Sequence, residues 1–345
     1  MISIVMPLYN GQRFLEDSVN SVINQSFPDW ELIIVNDGSM DKSEEIARQL
    51  QSKDKRIRLF SQTNRGVSEA RNQGMKECGG EYIAFLDADD KLTSDALKKM
   101  NDIIVAYSPD AVFHPAFRMS EDEQEITEFN RPIFRKGVLI EGEEAKRDHL
   151  YPAFLSSINN AGCVCCWAFK RELLNGLAFD TAMLLNEDLL FAMQCCERAR
   201  TVYCMNEALY LYRDNPDSCV NRINYQKFED VRKSNAYITD FFVRHSLELP
   251  ESYTVKRAGH VFVSSYMSVL HKPKETKALR NFLKQDAYYS AVLAELERCA
   301  SRAVAQKCRM INGSGCVRGI LTAKYRLRSW GVGVYKKLRK SKCMK

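Results

Sequence analysis

Within the first ninety residues, four short apolar runs alternate with segments of helical spacing, and three of the four stop abruptly at a polar cluster. The runs are residues 2–6 (ISIVM), 30–35 (WELIIV), 57–60 (IRLF) and 82–86 (YIAFL). Between them, Leu15, Val19, Val22 and Ile23 recur at helical spacing, residues 41–51 form a polar helix candidate, and residues 67–78 form another after Arg65-Gly66. A strand that is apolar on both faces needs cover on both faces, and alternating helices supply it when the sheet is parallel. The pattern predicts an α/β fold, doubly wound on a mostly parallel sheet, for the N-terminal half of the chain.

Ligands of such sheets bind outside the carboxyl ends of the strands. There the first run leads into Pro7-Leu8-Tyr9-Asn10, the second into Asn36-Asp37-Gly38-Ser39 and the fourth into Asp87-Ala88-Asp89-Asp90. An Asn-Asp-Gly-Ser turn alone is ordinary turn chemistry. Three polar clusters along one edge of one sheet point instead to a site. The 87–90 cluster is the sharpest, because three carboxylates within four residues repel and need a counter-charge or a raised pKa. Mg²⁺ or Mn²⁺ would supply that charge through oxygen ligands and keep positions open for phosphates. The competing reading is a solvated turn with Asp90 at a helix N-terminus; the position directly after a buried strand favours the metal.

Beyond this half the pattern loosens. Residues 110–118 read as a strand, 119–137 as a polar connection, and 201–213 as two short strands around Asn206-Glu207. Long charged segments at 225–245, 255–270 and 276–298 have helical composition. The expected boundary lies near 216–224, giving a catalytic domain over 1–218 and a helical C-terminal region with a basic tail over 219–345. No repeat or low-complexity tract is visible. At 345 residues and 27% charged, the chain is ordinary for a two-domain globular protein. No stretch approaches the roughly 18 apolar residues of a membrane span, and the N-terminus lacks the basic region and cleavage site of a signal peptide. A cytoplasmic setting is expected. The 12 cysteines suggest neither a zinc site nor a disulfide framework, and reduced, mostly buried thiols are expected. The five histidines form no metal or triad spacing and are assigned no role.

The segments VMPLYNGQRFLEDSVNSVINQSFPDWELIIVNDGSMDKS, NRGVSEARNQGMKECGGEYIAFLDADD and LLNEDLLF resemble, in order and spacing, the signature blocks of family 2 glycosyltransferases over residues 2–191. The resemblance implies the GT-A (Rossmann-like) nucleotide-diphospho-sugar transferase fold. It implies that Pro7, Tyr9 and Asn10 cradle the nucleotide, and that Asp37, with Gly38 beside it, hydrogen-bonds the base. Arg71 and Arg65 would contribute to nucleotide-sugar binding. Asp89 would be the direct ligand of a bridging Mn²⁺ or Mg²⁺, with Asp87, flanked by Ala88, nearer the ribose and also in reach of the metal. Asp188 would be the general base, with Glu187 beside it. Relatives often carry Gly before this acidic pair where this chain has Asn186, a residue that also tolerates positive φ.

The same roles follow from what glycosyl transfer requires: a stabilised diphosphate leaving group, a deprotonated acceptor hydroxyl and an oriented sugar. A single displacement inverts the anomeric centre and uses one base. The expected donor is a nucleotide sugar, with a UDP-sugar favoured, and the expected acceptor a saccharide or lipid-linked hydroxyl in cell-surface polysaccharide synthesis. By itself, Glu187-Asp188 reads better as an acidic helix start, and the upstream blocks are what favour Asp188 as base. Tyr212-Arg213-Asp214 with Ser218 is similar to a following family element, in which Arg213 contacts the diphosphate or pairs with a core carboxylate on even terms. Trp167 is a sugar-stacking or, more commonly, a core aromatic. A nucleotidyltransferase is disfavoured by a first loop poor in glycine and basic residues, and a dinucleotide dehydrogenase by the missing GxGxxG. A catalytically inactive sugar-nucleotide-binding scaffold is disfavoured by the carboxylates at 87, 89 and 188.

Charge is divided along the chain. Residues 298–345 hold 14 Lys and Arg and no acid, leaving 36 basic against 44 acidic groups, a net of −8, in residues 1–297. Residues 317–345 mix 10 basic groups with Tyr325, Trp330 and Tyr335, which suits weak attachment to an anionic membrane surface better than nucleic acid, for which no binding module is present. A solvated basic tail is the other reading.

Overall fold

The computed structural model describes residues 1–156, 161–215, 225–250, 253–268 and 272–299. The chain divides into two compact units, Met1–Arg222 and Ile223–Lys345. In the first, eight strands form one sheet in the order β3-β2-β1-β4-β10-β6-β11-β9: β1 Ile2–Leu8, β2 Trp30–Asp37, β3 Ile57–Gln62, β4 Tyr82–Phe85, β6 Ala111–Phe113, β9 Val138–Glu141, β10 Trp167–Lys170 and β11 Thr201–Cys204. A smaller sheet runs β5-β12-β7-β8, from β5 Lys91–Leu92, β7 Ala116–Met119, β8 Ile126–Glu128 and β12 Tyr210–Arg213. The helices of this unit are α1 Leu15–Ile23, α2 Ser43–Lys53, α3 Val67–Glu77, α4 Ala96–Tyr107, the short α5 Gly142–Ala145 and α6 Tyr151–Leu155, and α7 Glu187–Arg198.

The four early apolar runs become the parallel core β3-β2-β1-β4. All eight residues of β2 are buried, and Leu32 to Val35 are fully so, each contributing about 1.5–3 kcal/mol by burial. The register is what builds the site: Leu8 pairs with Asn36, Asp37 with Gln62, and Val5 with Phe85, so the carboxyl ends of β1, β2 and β4 finish along one edge. At the opposite end Glu31 is a buried carboxylate. Burial would raise it, but hydrogen bonds from Ser3, the Gly79 and Gly80 amides and Arg58 outweigh that and hold it below its ordinary value.

The expected strand over 110–118 is two strands in two sheets. It breaks at His114-Pro115, where proline offers no amide for a ladder. The two short strands of 201–213 likewise separate, β11 pairing with β6 and β9, and β12 with β7 and β5. The polar connection 119–137 holds one exposed strand, β8.

In the second unit, α8 Gln226–Arg244, α9 Tyr253–Ser268, α10 Pro273–Gln285 and α11 Ala287–Cys299 surround an aromatic core. Phe228 lies 5.3 Å from Phe262 by ring centroid, and Phe262 lies 5.1 Å from Tyr289. Among the described residues, no helix is long and apolar enough to cross a membrane. Ser218 and the basic segment 317–345 lie outside the described residues.

Candidate active site

The loops after β1 and β2 are laced together. The Met40 amide donates to Asn10 Oδ1 (2.8 Å), the Asn10 amide to Ser39 Oγ (3.0 Å) and the Gly11 amide to Ser43 Oγ (2.8 Å), with Asn10 at φ +51°. Pro7 is half-buried and Tyr9 exposed at this rim. Asp37 is buried and clamps the loop before α3: Oδ1 accepts from Gln62 Nε2 and the Arg65 amide, Oδ2 from the Gly66 amide, each at 2.8 Å. The turn after β2 must press against this loop. Gly38 sits at φ +71°, and a Cβ there would lie 2.8 Å from the Asn64 amide nitrogen, so no larger residue fits. Arg65 points to solvent near Glu69, 3.8 Å away.

Arg71 occupies the centre. It is buried, with Nη2 2.9 Å from Asp87 Oδ1 and Nη1 3.1 Å from Glu187 Oε1, and its guanidinium lies 5.4 Å from the Phe179 ring. Burial alone would weaken its charge, but the Asp87, Glu187 and Asp188 carboxylates outweigh it and hold the guanidinium above its ordinary pKa. One side chain thus ties the end of β4 to the start of α7, reaching a carboxylate 116 residues from Arg71 in sequence. The start of α7 is set by Asn186 in the left-handed region at φ +68°, the conformation its Gly counterpart would also allow. Asp188 is half-buried in the first turn of α7, with Oδ1 accepting from the Leu189 amide at 2.7 Å. Its carboxyl is pushed well above the ordinary range, by desolvation first and then by Glu187 and Cys163, with Arg71 opposing.

The turn 87–90 closes through the Asp90 amide donating to the Asp87 carbonyl. Asp90 is no solvated helix cap: it is buried, accepting from Tyr210 Oη (2.6 Å) and the Arg213 amide (2.7 Å), and burial followed by Asp89 and Asp87 pushes its carboxyl well up. Arg213 is itself buried, but the carboxylate it pairs with, Glu123, is exposed rather than in the core. Its Nε donates to the Asp89 carbonyl at 2.7 Å and its Nη2 to Glu123 Oε1 at 2.8 Å, so it braces the turn. Asp89 accepts from Asn215 at Oδ2 (2.8 Å), and burial raises its carboxyl. Asp87 Oδ2 lies outside the Arg71 pair, and with the Asp89 carboxyl, raised by burial and then by the Asp87 charge, it makes a donor set that fits a hard divalent cation completed by phosphate and water. Ala88 separates the two carboxylates without adding a polar group.

One sequence expectation resolves against a role in the site. Trp167 is fully buried, donating Nε1–H to the Ala161 carbonyl (2.8 Å) and stacking on Phe169, so it has no face for a sugar. The cysteines, read as reduced and mostly buried thiols without a zinc site, include three whose sulfurs converge: Cys163, Cys165 and Cys166 lie within 4.8 Å of one another. The run CVCC, with its two-residue spacing between Cys163 and Cys166, carried that signal in the sequence. His114 is buried, donating Nδ1–H to the Pro115 carbonyl, and burial pulls its pKa down to about 4.

This α/β architecture, with carboxylates gathered at the carboxyl edge of a parallel sheet, is the GT-A fold. The model of the Glycosyl transferase family 2 matches residues 3–177, and the chain belongs to that family of enzymes. It is 31% identical over 302 residues to the uncharacterized glycosyltransferase EpsJ of Bacillus subtilis, covering 85% of each chain. It is 36% identical over 235 residues to the putative teichuronic acid biosynthesis glycosyltransferase TuaG of the same organism, covering 68% of this chain and 85% of that one. Among solved structures, residues 1–349 of S. aureus TarS in complex with UDP-GlcNAc share the fold at a TM-score of 0.58 and 17% identity, over 96% of this chain and 92% of that one.

Proposed function

We propose that the protein transfers a sugar from a nucleotide-diphospho-sugar, a UDP-sugar in the first instance, to a hydroxyl of a saccharide or lipid-linked acceptor, with inversion, in the synthesis of a cell-surface polysaccharide. The observation that carries this reading is the bridge from Asp87 through Arg71 to Glu187, which joins the donor corner to the acidic pair on α7. Kinship with TuaG, named for teichuronic acid biosynthesis, and the fold shared with UDP-GlcNAc-bound TarS support the substrate classes.

In this reading Pro7, Tyr9, Asn10, Asp37 and Gly38 form the nucleotide cradle, with Arg65 at its rim. Asp89 and Asp87 would hold Mn²⁺ or Mg²⁺, which when bound neutralises charge developing on the leaving diphosphate. Asp188 receives the acceptor hydroxyl proton as the new C1–O bond forms and the bond from C1 to the diphosphate oxygen breaks. The raised proton affinity of Asp188 suits a base acting near neutral pH. Arg71 pairs with Glu187 and so fixes that carboxylate beside Asp188. The basic segment 317–345 would draw the enzyme to an anionic cytoplasmic membrane face.

The test is a donor screen: release of nucleoside diphosphate from a panel of nucleotide sugars, with and without Mn²⁺. Turnover of one UDP-sugar is expected, with Asp188→Asn lowering kcat at least a hundredfold while sparing donor binding, and Asp89→Ala weakening metal-dependent donor binding. Hydrolysis or transfer from none under any cation would favour a scaffold.

A further inference from the structure

We propose that Cys163, Cys165 and Cys166 form a site for one thiophilic metal ion, of the Zn²⁺ class, beside the start of α7. Their three sulfurs lie within 4.8 Å of one another, with Cys163 and Cys165 at 3.1 Å. A tetrahedral ion with metal–sulfur bonds of about 2.3 Å holds its sulfurs about 3.8 Å apart, so seating one requires the closest pair to open by less than an ångström. The donors are soft, which selects Zn²⁺, Cd²⁺ or Cu⁺ over the hard cations suited to Asp87 and Asp89.

The backbone holding these thiols is fixed. Residues Val164–Cys166 form a 3₁₀ turn in which the Cys166 amide donates to the Cys163 carbonyl at 3.0 Å, and the Cys166 carbonyl accepts from the His114 amide at 3.0 Å. Asn130 Nδ2 lies 3.5 Å from the Cys166 sulfur, an outer hydrogen bond of the kind that orients metal ligands. On the other side Gly162 lets the segment close on α7: a Cβ there would come within 2.5 Å of Leu189 Cδ1. Cys165 and Cys166 are buried, whereas half-buried Cys163 gives an ion its way in. Asp87 and Asp188 lie within electrostatic reach of Cys163 and add negative potential that favours a cation, against the single opposing charge of Arg71. Binding exchanges the thiol protons for the ion, three protein sulfurs filling three positions and water the fourth. The ion would stiffen the segment that enters β10 and packs through Gly162 on the helix bearing Glu187 and Asp188. The site stands on its own donors and needs no sugar transfer.

The experiment uses the full chain, reduced with a phosphine and freed of metal, titrated with Co²⁺ and then Zn²⁺. One equivalent of Co²⁺ should give a thiolate charge-transfer band with intense visible bands of tetrahedral cobalt, displaced by one equivalent of Zn²⁺. Cys163→Ser and Cys165→Ser should each abolish the band with unchanged circular dichroism, whereas Cys204→Ser should keep it. On the unaltered chain, Zn²⁺ should slow alkylation of Cys163 at least tenfold by peptide mass spectrometry, and Mg²⁺ should not. A band that survives in Cys163→Ser, or no band together with alkylation indifferent to Zn²⁺, overturns the proposal. Neither result depends on donor turnover, so failure here is separable from failure of the transferase reading.

Discussion

A guanidinium that keeps only 6% of its side-chain surface in water holds its charge because carboxylates surround it, and Arg71 has Asp87 and Glu187 in direct contact. Removing it strands two acids rather than one interaction. Arg71→Met should therefore cost about 2–3 kcal/mol of stability by urea denaturation, less than a fully buried pair because Asp87 stays 32% exposed. Arg71→Lys restores charge but cannot reach both acids, and should recover only part of the loss. The same cluster sets a pH dependence. Asp188 is raised by desolvation and then by Glu187, so it gives up its proton only at higher pH than an ordinary aspartate near 4. As a base it must be ionised; kcat should fall as pH falls, on a limb displaced upward. Glu187→Gln removes one negative neighbour, which lowers the Asp188 pKa, so the limb in kcat against pH should shift to lower pH. A limb unmoved, or moved upward, would contradict Asp188 as the titrating base.

At the level of elements, α7 delivers Glu187 and Asp188 only if the chain turns through Asn186 at φ +68°. A β-branched residue pays heavily for that conformation. Asn186→Val should cost about 1–2 kcal/mol and lower kcat through displacement of the helix start, whereas Asn186→Gly should hold the turn and stay close to the parent in both thermal unfolding and turnover. This turn was legible in the sequence because asparagine stood where glycine is usual. Strands β1, β2 and β4 were legible for a related reason: buried on both faces, they are apolar apart from Ser3 and Glu31 until each ends at a polar cluster. The β6 to β7 break was less so, since a single proline redirects the chain between sheets. Strand β8 left no trace, because an exposed edge strand needs no apolar pattern. The burial of Asp90 was not legible for a physical reason: it depends on Tyr210 and Arg213, more than a hundred residues away. Local spacing carries no sign of such partners, and the same holds for the role of Arg213 as a brace.

For the molecule as a whole, the uneven charge is the property no single element explains. Residues 1–297 carry a net of −8, while residues 298–345 add 14 positive charges and no negative one. A body of that sign is repelled by an anionic bilayer, so any attachment must run through the basic segment. Ten basic groups lie in residues 317–345, and at about 1 kcal/mol for each one close to the surface only some of them need engage to outweigh the repulsion. The attraction decays within a Debye length, about 10 Å at 0.1 M salt, whereas insertion of Tyr325, Trp330 and Tyr335 would not. Full-length protein should therefore co-sediment with anionic liposomes at low salt, lose most of that binding by about 0.5 M salt, and ignore neutral liposomes. A 1–316 truncation should remain in the supernatant throughout. Equal sedimentation of the two forms would remove the basic segment from the account. Binding that persists at high salt would instead assign the attachment to the aromatic side chains.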